Sequence, residues 1–505
     1  MPASTIADEV RAAAPPGSPA VASGDATLSY AELLAGADEL AGALRAQGLQ
    51  TGALVGVCLP RSAALVVADL GVLAAGGAYV ALDPAQPAER LRGLLADSGV
   101  SSLVTDATTA AALGAGDGEP VGPSLLVSTG GPGRVAEPGL AYVMYTSGST
   151  GDPKGVMVEG AGLRNLVAWH RRAFDVRPGT RCSQVAGVGF DACAWETWGT
   201  LAAGGELVIP PEPLKTDPAG MRDWLAAERI EVAFLPTPLA EAVVSLAWPR
   251  SVPLRVLLTG GDRLHAAPPA GLPFSLVNNY GLTEASVVTT SGVVAPAGQG
   301  LPSIGAPIDG VRIRVVDQDL RDTEVGELLV GGVSVARGYL GAPALTAARF
   351  VERDGDRWYR TGDRVTRLAD GTVSFAGRLD DQIQVRGFRV EPAEIEAALL
   401  RHPGVTQASV RVVDGRLVGW VQGGDVTDAA LREHLAVWLP THMIPADLVP
   451  VAALPLTPSG KVDVAALPRP AAARDVEVPT DAVEEAVAAM VAELLGLPGV
   501  GAEEN

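Results

Sequence analysis

The chain has 505 residues, more than one hydrophobic core usually serves, so two or more domains are expected. Its 58 acidic against 38 basic residues leave a formal net charge of −20, which argues against wrapping nucleic acid or clinging to an anionic membrane. Three widely spaced cysteines (Cys58, Cys182, Cys193) and five unclustered histidines offer no disulfide framework and no zinc spacing, which suits a reducing cytoplasm.

The first residues, "MPASTIADEV", carry acids where a secretory leader would carry bases and an apolar run. Residues 30–47 place Leu33, Ala37, Leu40, Ala41 and Leu44 at helical spacing. "ALVGVCL" (53–59) reads as a buried strand, 62–75 as a helix, and "AYVAL" and "SSLVTD" as further short strands. The apolar region around 53–82 is interrupted by Arg61 and Asp69 and bounded by Asp83, too broken for a membrane span. "ELVIP", "VAFLP", "RVLLTG" and "FSLVNNYG" repeat one theme: four or five apolar residues, then Pro, Gly or polar turn residues. Buried parallel strands that end in functional loops read this way. Helical segments such as 218–229 alternate with them, which predicts a layered α/β core.

From about residue 308 the texture becomes β-rich, with "VRIRVVD", "GELLVGG" and "GTVSFAGR" separated by glycine turns. After "GRLDDQ" an α+β unit begins: "EPAEIEAALLRHPGV" is helical and "ASVRVVDGRLVGWVQ" is a hairpin about Asp414-Gly415. Residues 467–479 form a Pro/Ala linker. A D-x-x-E start at Asp481 and Glu484 then opens a helix with Val483, Val487, Val491 and Leu494 on one stripe, which reads as the beginning of another domain.

One stretch packs almost nothing. "YTSGSTGDPKGV" (145–156) holds three glycines, four Ser and Thr hydroxyls and Lys154. Backbone N–H groups that can turn outward, hydroxyl donors and a mobile ammonium describe a phosphate cradle. It is not the P-loop, because Pro153 stands where the second glycine should, and it is not the Rossmann fingerprint, because Gly148, Ser149 and Thr150 break G-x-G.

With "NNYGLTE" (278–284), "YRTGD" (359–363), "GRLDDQIQVRGFRVEPAEIE" (377–396) and "LPLTPSGKVD" (454–463), this cradle resembles the adenylate-forming superfamily. Within it the likeness runs to adenylation domains of nonribosomal peptide synthetases, through "LSYAEL", "LAAGGAYVALDP", "FDACAWE", "GELLVGGVSVARGYL" and "LPTHMIP". The resemblance implies an α/β fold with a large lobe (1–379) of layered sheets plus a small β-rich section, then a small mobile α+β lobe (380–468). A linker (469–480) and the truncated start of a peptidyl carrier domain (481–505) follow. It also implies ATP and Mg²⁺ as cofactors and activation of an amino acid as its adenylate with loss of pyrophosphate. The acyl group would then pass to a phosphopantetheine thiol on a carrier domain supplied in trans. Some members of the family need a small MbtH-like partner, for which the chain carries no dependable signal.

By the same resemblance each motif has a role. Thr146, Ser147, Gly148, Ser149, Thr150, Gly151 and Lys154 would hold phosphates, and Thr283 would contact the α-phosphate. Tyr280 would stack on adenine and Asn278 would bond its exocyclic amine. Asp363 would take the ribose hydroxyls, with Arg378 in support. Glu284 would hold Mg²⁺. Lys461 would bridge the substrate carboxylate and the α-phosphate as the catalytic residue, a compact ammonium being suited to neutralise both. Asp380 would be the hinge, and the backbone near Gly387 would line the thiol tunnel.

Asp191 would anchor the substrate α-ammonium. Ala192, Trp195, Phe234, Leu258, Gly260, Asn279, Val287 and Val288 would wall the side-chain pocket. This wall is apolar apart from Asn279 and excludes charged side chains. The set matches the family's leucine-activating pattern, with close aliphatic or hydroxylated analogues left open. Four positions depart from the usual motifs. Ala81 and Leu282 would adjust loop stiffness only, whereas Gly160 near the cradle and Gln384 near the transfer face would alter rates without abolishing activity. Two other readings stay open: an acyl-CoA or aryl-acid ligase of the same superfamily, and an inactive nucleotide-binding homologue.

Overall fold

The computed structural model describes residues 5–469, leaving aside 25, 117, 123, 130, 132, 136–137, 149–150, 297, 299, 381, 386–387, 414, 425 and 456–461. The linker beyond 469, the capped helix expected at 481, Ser149, Thr150, Gly387 and Lys461 all lie outside the described residues. The chain divides into two compact units, residues 1–398 with 432–444, and 399–431 with 445–505.

The first unit is a layered α/β structure, as the alternation of apolar runs and amphipathic helices predicts. Among the described residues it holds a nine-stranded sheet in which strands Val232–Pro236, Val256–Gly260 and Ser275–Tyr280 run parallel in register, Pro236 beside Gly260 and Gly260 beside Asn279. An edge of that sheet escaped the sequence reading: Pro19–Ser23 pairs in parallel with Glu206–Ile209, nearly two hundred residues away. A second sheet, of eight strands, brings Leu54–Cys58, Ala78–Leu82 and Leu140–Thr146 together in parallel. The β-rich texture after residue 308 becomes a five-stranded sheet in which Val311–Val316, Val325–Gly332 and Asp356–Arg367 are antiparallel neighbours.

Local chemistry explains the boundaries. The helix Tyr30–Ala46 opens with a capping box in which Ser29 and Glu32 satisfy each other's backbone N–H. The helix Ala63–Ala75 is capped by Ser62 and stops at Gly76 in the left-handed region. The helix Asp191–Leu201 is buried along nearly its whole length. Its Glu196 carboxylate accepts the N–H groups of Val185 and Ala186 at 2.8 Å each, tying the helix to the loop after strand Arg181–Ser183. Those bonds fix where Asp191, just over one turn earlier, begins the helix.

The second unit carries the expected hairpin, Val405–Val413 against Arg416–Gly423, joined in parallel by Asp447–Val451. Val418, Trp420, Leu454 and Leu467 make its small core, and the Trp420 indole donates to the Pro468 carbonyl at 2.8 Å. Among the described residues no helix is long and apolar enough to cross a membrane.

Candidate active site

A cavity of about 800 Å³ opens within the first unit. It lies where the parallel strands end, the place at which open α/β sheets usually receive ligands. Thr146 and Ser147 enter it from the end of strand Leu140–Thr146, and Asn278, Asn279 and Tyr280 from the end of Ser275–Tyr280. Thr283 follows in the next turn, and Asp191 enters from the first turn of its helix. Asp363 and Arg378 come from paired strands of the five-stranded sheet. Segments scattered over more than two hundred positions thus converge on one cavity.

The polar side is already paired. Asp363 is 3 % exposed, and it accepts from the Tyr280 hydroxyl and from the Arg378 guanidinium at 2.5 Å each. Burial, with the neighbouring Asp363 charge, raises the Tyr280 phenol well above its ordinary pKa, so it remains a donor. Arg378 reaches on to Asp380 with two further bonds of 2.7 and 2.9 Å. Burial of Asp380 works against its charge, but Arg378 and Arg349 outweigh that and hold its carboxyl below the usual range. Asn278 donates one amide hydrogen to the Ser303 carbonyl at 2.9 Å.

The strands flanking the glycine-rich stretch, Leu140–Thr146 and Lys154–Glu159, pair antiparallel, with Thr146 opposite Lys154. Gly151 sits at φ +96°, a conformation that side chains resist, and its N–H bonds the Gly148 carbonyl at 3.1 Å. Lys154 departs from the sequence reading of a mobile charge. As first residue of strand Lys154–Glu159 it is 9 % exposed, and its ammonium lies 3.5 Å from the Glu284 carboxylate. Glu284 is fully buried and also accepts from the Tyr339 hydroxyl at 2.9 Å. Beside the glycine-rich stretch, the Arg90 guanidinium meets the buried Glu394 carboxylate at 2.5 Å.

Two polar atoms on the cavity wall stand out. The Thr146 hydroxyl and Asp191 Oδ2 are shut from solvent and form no close hydrogen bond among the described residues, although the Thr283 hydroxyl and the Asp191 and Ala192 N–H groups stand near the Asp191 carboxyl as a whole. Buried polar atoms are nearly always bonded, so unmet ones at a cavity mark where a ligand's complementary groups would fall. Burial pushes the Asp191 carboxyl up to about 6; a Thr283 hydrogen bond moderates the rise and the Glu284 charge adds to it.

The expected side-chain pocket is brought together, but as a packed cluster. Trp195, Phe234, Leu258 and Val288 are buried in one core, with Ala192 and Val287 packed against it. The Trp195 and Phe234 rings meet edge to face at 5.5 Å. Of the predicted substrate-binding set, Asp191 and Asn279 line the cavity itself. Asn279 keeps its polarity to the fold: its amide donates to the Thr259 and Val277 carbonyls, and its oxygen accepts from Ser291 at 2.8 Å. Gly260 lies directly against that strand, since a Cβ there would sit 2.4 Å from the Asn279 carbonyl oxygen.

Sequence reasoning missed three aromatic groups. Phe190 packs on Phe388 at 5.1 Å, and Phe388 stacks on His442 at 3.7 Å; all three line the cavity. Phe190 immediately precedes Asp191 and could have been named from its motif. The other two are joined to it only by long-range folding. Burial drops the His442 imidazole to about 4, so it is neutral near pH 7.

The profile of AMP-binding enzymes matches residues 8–340, and that of the AMP-binding enzyme C-terminal domain matches 394–461. One of the linear gramicidin synthase proteins of Brevibacillus parabrevis is 44 % identical over 96 % of this chain, which spans 7 % of that protein's length. A surfactin synthase protein of Bacillus subtilis is 38 % identical over 96 % of the chain, which spans 14 % of it. The chain is thus a small fraction of the length of these large relatives. Novobiocin biosynthesis protein H of Streptomyces niveus, 41 % identical, is covered to 80 % by 90 % of this chain. Among solved structures, holo-PA1221, described as a nonribosomal peptide synthetase protein containing adenylation and PCP domains, superposes with a TM-score of 0.78 at 29 % identity. That likeness covers 98 % of this chain and 88 % of the other. With its fold, its convergent motifs and these likenesses in agreement, the chain belongs to the AMP-binding enzyme family of adenylate-forming ligases, in the company of nonribosomal peptide synthetase adenylation domains.

Proposed function

We propose that the chain activates a leucine-like α-amino acid as its adenylate and passes the acyl group to a phosphopantetheine thiol of a carrier domain. The observation that carries this reading is the unpartnered Asp191 Oδ2 on the cavity wall, beside an apolar cluster and facing the same space as Thr146, Tyr280 and Asp363. A buried carboxylate in need of a donor selects an ammonium, which fatty and aryl acids lack.

In the first half-reaction a substrate carboxylate oxygen attacks the α-phosphorus of ATP. The bond to the bridging oxygen breaks, and pyrophosphate leaves. Two anions must approach, so catalysis rests on aimed positive charge and donors. Thr146, Ser147 and the Gly148–Gly151 turn would hold the departing phosphates, and Thr283 the α-phosphate. Lys461 would bridge the two reacting anions. Tyr280, Asn278, Asp363 and Arg378 would position the nucleoside. In the second half-reaction the thiol sulfur attacks the acyl carbon and AMP leaves, after the small lobe has turned about Asp380.

The donor set fits Mg²⁺ as a guest of the triphosphate. Among the described residues no group of three or more acidic, His or Cys ligands gathers, and Glu284 offers one hard carboxylate beside Lys154. Mg²⁺ typically takes one or two carboxylates and completes its shell with phosphates and water. When bound it would neutralise phosphate charge.

A panel of pyrophosphate exchange over all amino acids, fatty acids and aryl acids, with and without an MbtH-like protein, tests the reading. Leucine or a close aliphatic analogue should head the panel. Exchange led by a fatty or aryl acid would overturn it in favour of the other ligase class, and no exchange under any condition would favour an inactive homologue.

A further inference from the structure

Trp195 is held from behind. Its indole N–H donates to His170 Nδ1 at 3.0 Å, and both residues are buried, at 1 % and 3 % exposure. His170 belongs to the helix Gly160–Ala173, and none of the sequence motifs includes it. Its ring stands at 87° to the Trp195 ring, 5.7 Å away, and edge-on to Phe174 at 5.1 Å. Trp169 stacks on Trp195 at 6.3 Å, with 30° between the ring planes. The helix carrying Trp195 leaves room for the imidazole only through a glycine. A Cβ at Gly199 would lie 2.9 Å from His170 Cδ2.

The protonation state is determined by the same contacts. Nδ1 accepts, so the ring proton sits on Nε2. Burial depresses the imidazole to about 3, which keeps it neutral and keeps Nδ1 an acceptor through the whole working range. A tryptophan in an apolar cluster has one polar atom to satisfy, and whichever acceptor satisfies it determines which way the indole turns.

We infer that His170 is a positioning residue for substrate selection: by holding the Trp195 indole through Nδ1 it sets the depth of the side-chain pocket. It acts through Trp195 and touches no substrate. The inference rests on the reading of Trp195 as a pocket wall. It predicts that the pocket's selectivity depends on an acceptor two layers away from the substrate.

The test uses the full chain and steady-state pyrophosphate exchange. The wild type is first run over leucine, isoleucine, valine, methionine and phenylalanine to establish its own preferred acid. His170→Phe keeps a ring and removes the acceptor; His170→Asn returns an acceptor near the Nδ1 position. His170→Phe should raise KM for the preferred acid about tenfold and shrink its advantage over the others by a similar factor, with the ATP KM within about twofold. His170→Asn should recover most of that selectivity. Because His170→Phe can fail to fold, Trp195→Phe provides a second route. It should shift selectivity as His170→Phe does, and Trp195→Phe with His170→Asn should match Trp195→Phe alone. Unchanged amino-acid preference in His170→Phe, or in Trp195→Phe, would overturn the inference, as would equal loss toward every acid and ATP together. A wild-type preference for something other than leucine would count against the leucine reading and leave the His170 comparison to be made on that acid.

Discussion

The two walls of the cavity are built on opposite plans. On the proposed nucleotide side the charged groups are already partnered within the protein: Asp363 with Arg378 and Tyr280 on the cavity wall, and Lys154 with Glu284 outside its lining. On the proposed amino-acid side Asp191 Oδ2, on the cavity wall, makes no close hydrogen bond among the described residues, and its helix packs into a tight apolar cluster. The first plan holds charges in position before ATP arrives, so little reorganisation remains to be done at the moment of reaction. The second leaves a need that a ligand can fill, and so makes occupancy depend on the ligand's chemistry. A prepaired wall gives geometry; an unpaired atom gives selection.

The comparison can be broken most severely at Lys461, which by the proposed mechanism serves both walls at once. Lys461→Ala should lower the adenylation rate about a hundredfold or more while leaving thiol transfer from a supplied aminoacyl adenylate much less affected. Single-turnover assays of the two half-reactions measure this directly. Equal losses in both would remove Lys461 from its assigned role.

Next come the walls taken separately. Asp191→Asn should raise the amino-acid KM roughly thirtyfold or more with the ATP KM nearly unchanged, because it removes the charge and little volume. Asp363→Asn should do the reverse, weakening ATP about tenfold, since Arg378 then loses one of its two ionised partners and the nucleotide loses a charged acceptor. If either variant impaired both substrates equally, the division into two walls would not hold.

A smaller effect sharpens the same contrast through pH. The Asp191 carboxyl is raised to about 6, so it retains its proton up to that point and carries charge above it. Amino-acid kcat/KM should therefore fall about tenfold from pH 7 to pH 5, and the fall should be absent in Asp191→Asn. For stability the sign is opposite to that of a salt-bridged acid. A raised carboxyl pKa costs the folded state above the unfolded value, and the cost is complete once pH passes the folded value. Asp191→Asn should thus raise the ligand-free Tm at pH 7 by about 2 °C, with little gain at pH 4. Differential scanning calorimetry at both pH values is the check.

Much of this was legible because burial writes itself into short apolar runs. The parallel strands at Val232, Val256 and Ser275 read correctly because a strand covered on both faces needs no alternation, only a Gly or Pro where it stops. The helix Asp191–Leu201 hid itself from periodicity, since it is buried around nearly its whole circumference; its motif pointed to Asp191 and not to a helix. What stayed illegible were couplings across long sequence distances. Nothing local announces that Lys154 is the start of a strand facing Glu284, that Tyr339 bonds that same carboxylate, or that Pro19–Ser23 joins a sheet at residue 207. The cavity followed the same pattern: Asp191, Asn278, Tyr280 and Asp363 among its lining could be named from their motifs, but the pairing among them could not.

Gly260 has a practical consequence for anyone wishing to redirect the chain toward another acid. Trp195, Phe234, Leu258 and Val288 meet their neighbours through side chains, which can be exchanged as sets. At Gly260 the neighbour is the main chain of the adjoining strand, close enough that even a methyl group would force the two strands apart. Libraries that randomise this position alongside the others would fill with misfolded protein, and recoding is best confined to walls that can yield.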